Sequence, residues 1–285
     1  MYVVTGATGQ LGRLVIEQLL KVVPAAQIVA AVRTPEKAAN LIALGVKVRH
    51  ADYARPETLD SAFKGAEKLL LISSSELGQR AAQHQAVIDA AKRVGVQLLA
   101  YTSVLRADSS PLSVAVEHRQ TEAALQKSGL PFVLLRNGWY TENYTAGIPG
   151  ALAHGAVFGS AGSGRISSAP RADYAAAAVA VLTAEDNQAG RSYELAGDDS
   201  YTLAGFAAEL SKQTDQAIGY TDLPQADFEA ALIQAGLPNF VAALLANSDA
   251  GASKGALFDE GHQLSSLIGR QTVPLAQTIA AELQN

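Results

Sequence analysis

The chain begins MYVVTGATGQLGRLV, and its fold turns on the stretch TGATGQLG, Thr5 to Gly12. Gly6, Gly9 and Gly12 follow an apolar run that starts at the first residue. They precede Leu11, Leu14, Val15 and Leu19, which share one face of a helix. A glycine triplet alone is a weak signal; between a strand and an amphipathic helix it carries weight. Each glycine then has a task. Gly6 permits the tight turn, Gly9 lets the backbone approach a pyrophosphate, and Gly12 allows close helix–strand packing. The helix N-terminus adds N–H donors and a positive dipole end, so the stretch predicts a dinucleotide site.

Working outward, the first half alternates short apolar runs with longer amphipathic ones, the signature of βαβ units. Strands are expected over 2–5, 27–32, 46–50, 68–72, 97–101 and 132–135. Helices are expected over 11–22, 35–44, 56–63, 80–94 and 114–127, with Thr34 as the N-cap before Pro35. Gly45, Gly65, Gly95 and Gly129 stand where helices end. Six strands joined by right-handed crossovers predict an α/β fold, a doubly wound parallel sheet of the Rossmann type in the order 3-2-1-4-5-6. After Leu135 the rhythm changes. Residues 136–144, RNGWYTENY, look too irregular for a core strand, and 155–168 is Gly/Ser-rich and reads as a hairpin or loop. A further helix is expected over 170–184 and a seventh strand over 192–195, followed mostly by helices (203–212, 225–234, 238–246, 260–268 and 274–283). The expected division is a nucleotide-binding core over 1–135, completed by 170–200. A substrate-side loop over 136–169 and a small, mostly helical lobe over 201–285 make up the rest.

Composition narrows the function classes. The 285 residues are 48% hydrophobic and 17% charged with a net charge of -5, which suits a compact α/β protein and disfavours nucleic acid as a partner. Cysteine is absent, removing disulfides, thiolate chemistry and most structural zinc sites. The five histidines lack metal-ligand spacing, so no metal is expected. A strand starting at the second residue leaves no room for a signal peptide. The longest apolar stretch, 174–184, is well short of a membrane span, and a cytoplasmic location is expected. A homodimer is compatible with the fold, but no surface stripe identifies one.

The second strand bears on the cofactor. An NAD-preferring site places an acid near its end for the ribose 2′-hydroxyl. Here IVAAVRTPEK has no acid before Glu36 and carries Arg33 at the strand end. A guanidinium suits a 2′-phosphate through charge-assisted, bidentate bonds, so NADPH is the expected cofactor. Asp52, after the third strand, is either an acceptor for the adenine amino group or a loop carboxylate. Ser73, Ser74 and Ser75, after the fourth strand, would run under the cofactor's ribose and phosphates.

Short-chain dehydrogenases of the main branch use a Tyr-x-x-x-Lys pair, but none of the nine tyrosines here has Lys four residues on. Tyr101-Thr102-Ser103 sits where that branch carries its serine, without the tyrosine partner. His118 is either a polar wall of the site or a solvated helix residue. The richest candidate is RNGWYTENY, with Asn137, Trp139, Tyr140, Glu142, Asn143 and Tyr144. Aromatic faces can stack a flat substrate, and amides can fix a carbonyl or carboxamide. Tyr140 and Asn143 are the catalytic candidates, and Trp139, Tyr140, Asn143 and Tyr144 the substrate contacts. A structural plug is the alternative for the same residues.

The segments TGATGQLG, AVRTPEKA, VRHADY, LLLISSSELGQR, LLRNGWYTENY and GASKGALFD together resemble the bacterial NAD(P)H:quinone oxidoreductases among the NmrA-like, atypical short-chain dehydrogenases. The resemblance spans essentially the whole chain. It implies NADPH, flavin-free transfer of hydride to a small-molecule quinone, and no metal. It implies cofactor contacts from Gly6, Ala7, Thr8, Gly9, Gln10 and Leu11, from Arg33, and from Asn137, Gly138, Trp139, Tyr140, Thr141 and Glu142. Thr102 joins them beside the serine run. Triphenylmethane dye reductases share the early motifs but look different at SSSELGQR and GWYTENY. Two further readings stay open: a dinucleotide-binding redox sensor without turnover, and a dye reductase.

Overall fold

The structure is a computed structural model that describes residues 1–284. Its strands are β1 (Tyr2–Thr5), β2 (Ile28–Val32), β3 (Lys47–His50), β4 (Lys68–Leu71), β5 (Leu98–Val104), β6 (Phe132–Asn137), β7 (Ala156–Gly159), β8 (Ser192–Leu195) and β9 (Gly219–Asp222). Its helices are α1 (Gln10–Leu19), α2 (Ala39–Ala43), α3 (Leu59–Phe63), α4 (Arg80–Val94), α5 (Ala115–Ser128), α6 (Glu142–Thr145), α7 (Ile148–His154), α8 (Arg171–Thr183), α9 (Leu203–Thr214), α10 (Gln225–Gln234), α11 (Asn239–Ala252), α12 (Gln263–Ile268) and α13 (Leu275–Glu282). Two compact units result. The first comprises residues 1–107, 116–137 and 171–194, and the second 108–115, 138–170 and 195–284. The boundaries differ from the expected ones mainly at 108–115, which leaves the core for the second unit.

In the first unit, a parallel sheet runs in the order β3-β2-β1-β4-β5-β6-β8, the predicted order with the seventh strand added at the edge. Every residue of β2 and β5 is buried, as expected when helices cover both faces of a parallel sheet. Val3, Leu69, Leu71, Leu99 and Tyr101 pack with Phe63 of α3 and with Val87, Ile88 and Ala91 of α4. Burying each large apolar side chain contributes roughly 1.5–3 kcal/mol. Elsewhere α1 runs beside α8, and Gln18 Nε2 donates to the Ala172 carbonyl at 2.8 Å. Helix α4 occupies the expected span and ends on Gly95, whose φ of 74° lies in the left-handed region that glycine tolerates. Because the strands are parallel, their C-terminal ends share one edge, where ligands of such folds bind.

Three local expectations need correction. Residues 35–38 form a 3₁₀ turn before the short α2, and the Thr34 side chain makes no capping bond. Proline pre-set the turn without the hydroxyl. Arg136 and Asn137 continue β6 rather than opening an irregular loop, since the sheet pairs them with Ser103 and Val104. Residues 155–168, read as a hairpin or loop, make no hairpin and are loop only after Gly159. Ala156–Gly159 forms β7, which pairs in parallel with β9 in the second unit, and β9 was not expected from sequence. The partner lies far along the chain, beyond the reach of local turn chemistry.

In the second unit, Ile148 and Ala151 of α7 pack with Phe206, Ala207 and Leu210 of α9, with Ile218, and with Ile279 of α13. Thr202 caps α9, its hydroxyl accepting from the Gly205 amide at 3.1 Å. Among the described residues no helix is long and apolar enough to cross a membrane. No group of three or more His, Cys, Asp or Glu side chains among them could hold a metal ion.

Candidate nucleotide site

At the C-terminal edge of the sheet in the first unit lies a cavity of about 370 Å³. Its floor is the β1–α1 turn: Gly6, Thr8, Gly9, Gln10, Leu11 and Gly12 all line it. Gly6 sits at φ 58°, and the Gly9 amide donates to its carbonyl at 2.9 Å. Gly9 is the N-cap of α1, and no side chain caps the helix, so the amides of its first turn are available to an anion. A Cβ on Gly12 would lie 2.3 Å from the Gly6 carbonyl oxygen and 2.7 Å from Ala7 Cα. The turn and the helix thus meet backbone to backbone, the close packing expected of the third glycine.

Arg33, Asp52, Ser73, Ser74 and Ser75 also line the cavity, as the sequence predicts. Asp52 holds its own loop, its Oδ1 accepting from the Ala54 amide at 3.0 Å, while facing the cavity wall. Two residues expected as contacts do not line the cavity. Ala7 is fully buried beneath the turn, and Thr102 lies below the serine loop, its Oγ1 accepting from the Ser73 amide at 2.9 Å. Tyr53, Glu76 and Gln83 line the cavity and were not singled out from sequence. Tyr53 directly follows Asp52, and Gln83 lies one turn into α4, so their proximity to strand ends was the available signal.

A buried polar layer fixes the serine loop. His84 Nε2 accepts from the Ser74 amide at 2.9 Å, and its Nδ1 lies 2.9 Å from the Thr121 hydroxyl. Because Nε2 must accept, Nδ1 carries the proton and donates to Thr121. Burial, reinforced by the nearby Arg80 cation, pushes the His84 pKa down to about 3. Arg80 Nε donates to the Ser74 carbonyl at 2.7 Å, and the Ser74 hydroxyl donates to Gln83 Oε1. Tyr53 donates to the Thr5 hydroxyl and the Ile72 carbonyl, and burial raises its phenol above the ordinary range. His118 is neither a site wall nor solvated. It is buried 2.7 Å from the Tyr101 hydroxyl, and burial drives its pKa well below the ordinary value. Apolar neighbours on both sides of α5 were too few for its sequence to reveal this.

Ser103 is committed elsewhere in the first unit. Its hydroxyl donates to Glu122 at 2.6 Å, and Arg136 binds Glu122 through Nε and Nη2 at 3.0 and 2.7 Å and Glu194 at 2.8 Å. These carboxylates, Glu122 first, raise the pKa of Arg136 despite its partial burial.

Asn137 ends β6 and is buried, whereas Gly138 to Tyr144 belong to the second unit. There Thr141 is pinned to Ala169 through its amide and to Ser168 through its hydroxyl, at 3.0 and 2.8 Å. Tyr144 donates to Asp249 Oδ1 at 2.8 Å and meets Trp139, Tyr201 and Phe206 ring to ring. Burial raises Asp249 to about 6 and carries Tyr144 well above the ordinary phenol value. For Tyr144 this is the anchoring role of a structural aromatic. Tyr140 and Asn143 are only half-buried, so their side chains retain accessible surface.

The NAD(P)H-binding family matches residues 6–185. Quinone oxidoreductase 2 of Escherichia coli (strain K12) is 57% identical over 98% of this chain and 98% of its own length. The crystal structure of NADPH-dependent quinone oxidoreductase QOR2 from E. coli, complexed with NADPH, superposes with a TM-score of 0.97 at 56% identity, covering 100% of both chains. The Citrobacter sp. triphenylmethane reductase complexed with NADP(H) reaches a TM-score of 0.95 at 37% identity, over 99% of this chain and 100% of that one.

Proposed function

The chain belongs to the NAD(P)H-binding family, and from that membership and its site we infer that it is an NADPH-dependent quinone oxidoreductase. The observation that carries this reading is near-complete coverage at 57% identity by a quinone oxidoreductase, together with a glycine-turn cavity that presents Arg33. NADPH supplies the hydride, and the protein's contribution is binding and orientation. The amides at the start of α1 hold the pyrophosphate, the serine loop borders the riboses, Asp52 accepts from the adenine amino group, and Arg33 takes the 2′-phosphate. Reduction of a quinone yields an aromatic oxyanion with a pKa of about 10, taking tyrosine as the analogue. Water or a modest donor suffices to protonate it, so the missing Tyr-x-x-x-Lys pair costs little, and catalysis rests on positioning. Tyr140 and Asn143, on the segment that leaves β6 at the ligand edge, orient the quinone. The function itself is tested by oxidation of NADPH with and without a benzoquinone; tight NADP binding without turnover would favour a sensor. The reductant, NADPH, is a water-soluble nucleotide, which supports a cytoplasmic location.

Two substitutions check the residue assignments. Arg33→Ala removes the charge-assisted bonds to the phosphate, each worth about 1.5–3 kcal/mol, so KM for NADPH is expected to rise roughly ten- to a hundredfold. KM for NADH should barely move, and equal effects on both would sink the assignment. Tyr140→Phe and Asn143→Ala are each expected to lower kcat/KM for quinones by about tenfold or more with NADPH affinity kept. Unchanged quinone kinetics in both variants would remove that segment from catalysis.

A further inference from the structure

The second strand carries no acid for a ribose 2′-hydroxyl, yet a carboxylate reaches the same place from across the cavity. Glu76 Oε1 accepts from Arg33 Nη1 at 2.5 Å, and both residues line the cavity. Arg33 follows β2 and Glu76 follows β4, the two strands that flank β1 and its glycine turn. The pair therefore joins the two sides of the site. Exposed ion pairs are usually loose, and with side-chain exposures of 67% and 43% this one would be weak if unsupported. It is not unsupported. The buried amide of Gln83 donates to Glu76 Oε2 at 2.7 Å, the Glu76 amide donates to the Ser74 hydroxyl at 3.1 Å, and that hydroxyl donates to Gln83. The carboxylate is thus aimed at the guanidinium by the same polar layer that fixes the serine loop.

We propose that Glu76 is a specificity-determining residue of the cofactor site, accepting from the ribose 2′-hydroxyl of NADH and competing with the 2′-phosphate of NADPH for Arg33. The proposal rests on Arg33 as the phosphate contact. Any group held by the Arg33 fork lies within a few ångströms of Glu76. A 2′-hydroxyl is a donor, and an ionised carboxylate accepts from it. A 2′-phosphate is mostly dianionic at neutral pH, so it meets like charge and competes with Glu76 for Arg33. The Gln83 and Arg33 bonds hold the Glu76 pKa below the usual carboxylate value, so the competing charge is present throughout the neutral range. One residue thereby moves the two affinities in opposite directions, which a merely structural surface pair would not do.

The test is Glu76→Gln, which keeps the size and one of the two acceptor oxygens while removing the charge. Dissociation constants for NADPH and NADH are measured by fluorescence titration without quinone, so catalysis does not enter. The dissociation constant for NADPH is expected to fall about three- to tenfold and that for NADH to rise, increasing the preference ratio. A ratio that stays constant or falls overturns the proposal. Arg33→Ala, measured in parallel, separates the two ideas. If it weakens NADPH selectively while Glu76→Gln leaves the ratio unchanged, only the role of Glu76 fails. If it has no selective effect, the phosphate contact itself is wrong, and the proposal falls with it.

Discussion

Gly12→Ala is expected to lose NADPH binding and to lower the melting temperature of the cofactor-free protein by roughly 2–12 °C. The added methyl would meet three backbone atoms under 3.0 Å: the Gly6 oxygen and carbon and Ala7 Cα. None of them can rotate away, as the end of a flexible side chain could. Helix α1 must lift off the turn, and overpacking of this kind costs about 1–3 kcal/mol. For a chain of this size each kcal/mol moves the melting temperature by about 2–4 °C. Gly9→Ala is the informative contrast. Its methyl meets only the Gly6 oxygen, at 3.2 Å, so the cofactor-free protein should melt close to the parent while losing most of the stabilisation that NADPH confers. Melting curves with and without NADPH distinguish the two variants. Parental stability and affinity in Gly12→Ala would show that the turn is not held as described.

The second large effect is a loss of stability in mild acid. His84 and His118 are buried and neutral, with pKa values lowered by burial first and Arg80 second. Unfolded, each titrates near 6.5. Between that value and its depressed folded pKa, the unfolded state binds more protons, so stability rises with pH there and falls as pH drops through the window. Each histidine contributes up to about 1.4 kcal/mol per pH unit. Asp249 has the opposite sign: its folded pKa is raised to about 6, so it favours the folded state at low pH and loses that contribution as pH rises from about 4 to 6. With two histidines against one carboxyl, urea midpoints should fall steadily below about pH 6. His118→Leu should lower the slope by up to one proton whatever it does to the absolute stability. An unchanged slope would mean that His118 is not buried neutral. Protonated His84 would also turn a donor toward the Ser74 amide, so this histidine should weaken NADPH affinity only as pH approaches about 3.

The parts of the fold visible in sequence were those with a local cause. The glycine turn, α4 with Gly95 at its end, and the strand order follow from periodicity and crossovers between neighbours along the chain. The β7–β9 pairing was hidden because its partners are separated by α8, β8 and α9. The site divides along the same line. Arg33 and the serine loop stand at strand ends that the pattern marks, and they line the cavity. Glu76 and Gln83 matter through bonds to each other and to Ser74, a geometry set by how α4 packs. His118, read from sequence as a site wall or a solvated residue, is neither, because its burial depends on Tyr101, a partner on a different element. RNGWYTENY mixes both kinds of residue. Its polar and aromatic composition is plain, but Tyr144 is anchored by Asp249, far along the chain.

The Ser103–Glu122–Arg136–Glu194 cluster bears on how this scaffold could change its chemistry. The Ser103 hydroxyl is spent on tying β5 to α5, and Arg136 extends the tie to β8. A Tyr-x-x-x-Lys pair installed on this scaffold would therefore meet a serine already engaged by Glu122. Releasing it by deleting Glu122 would remove two of the three carboxylate bonds of Arg136 described above and leave Glu194 to hold that cation in this cluster. A change of chemistry at Ser103 is thus coupled to the tie between β5, α5 and β8, so the site and the packing of these three elements cannot be altered independently.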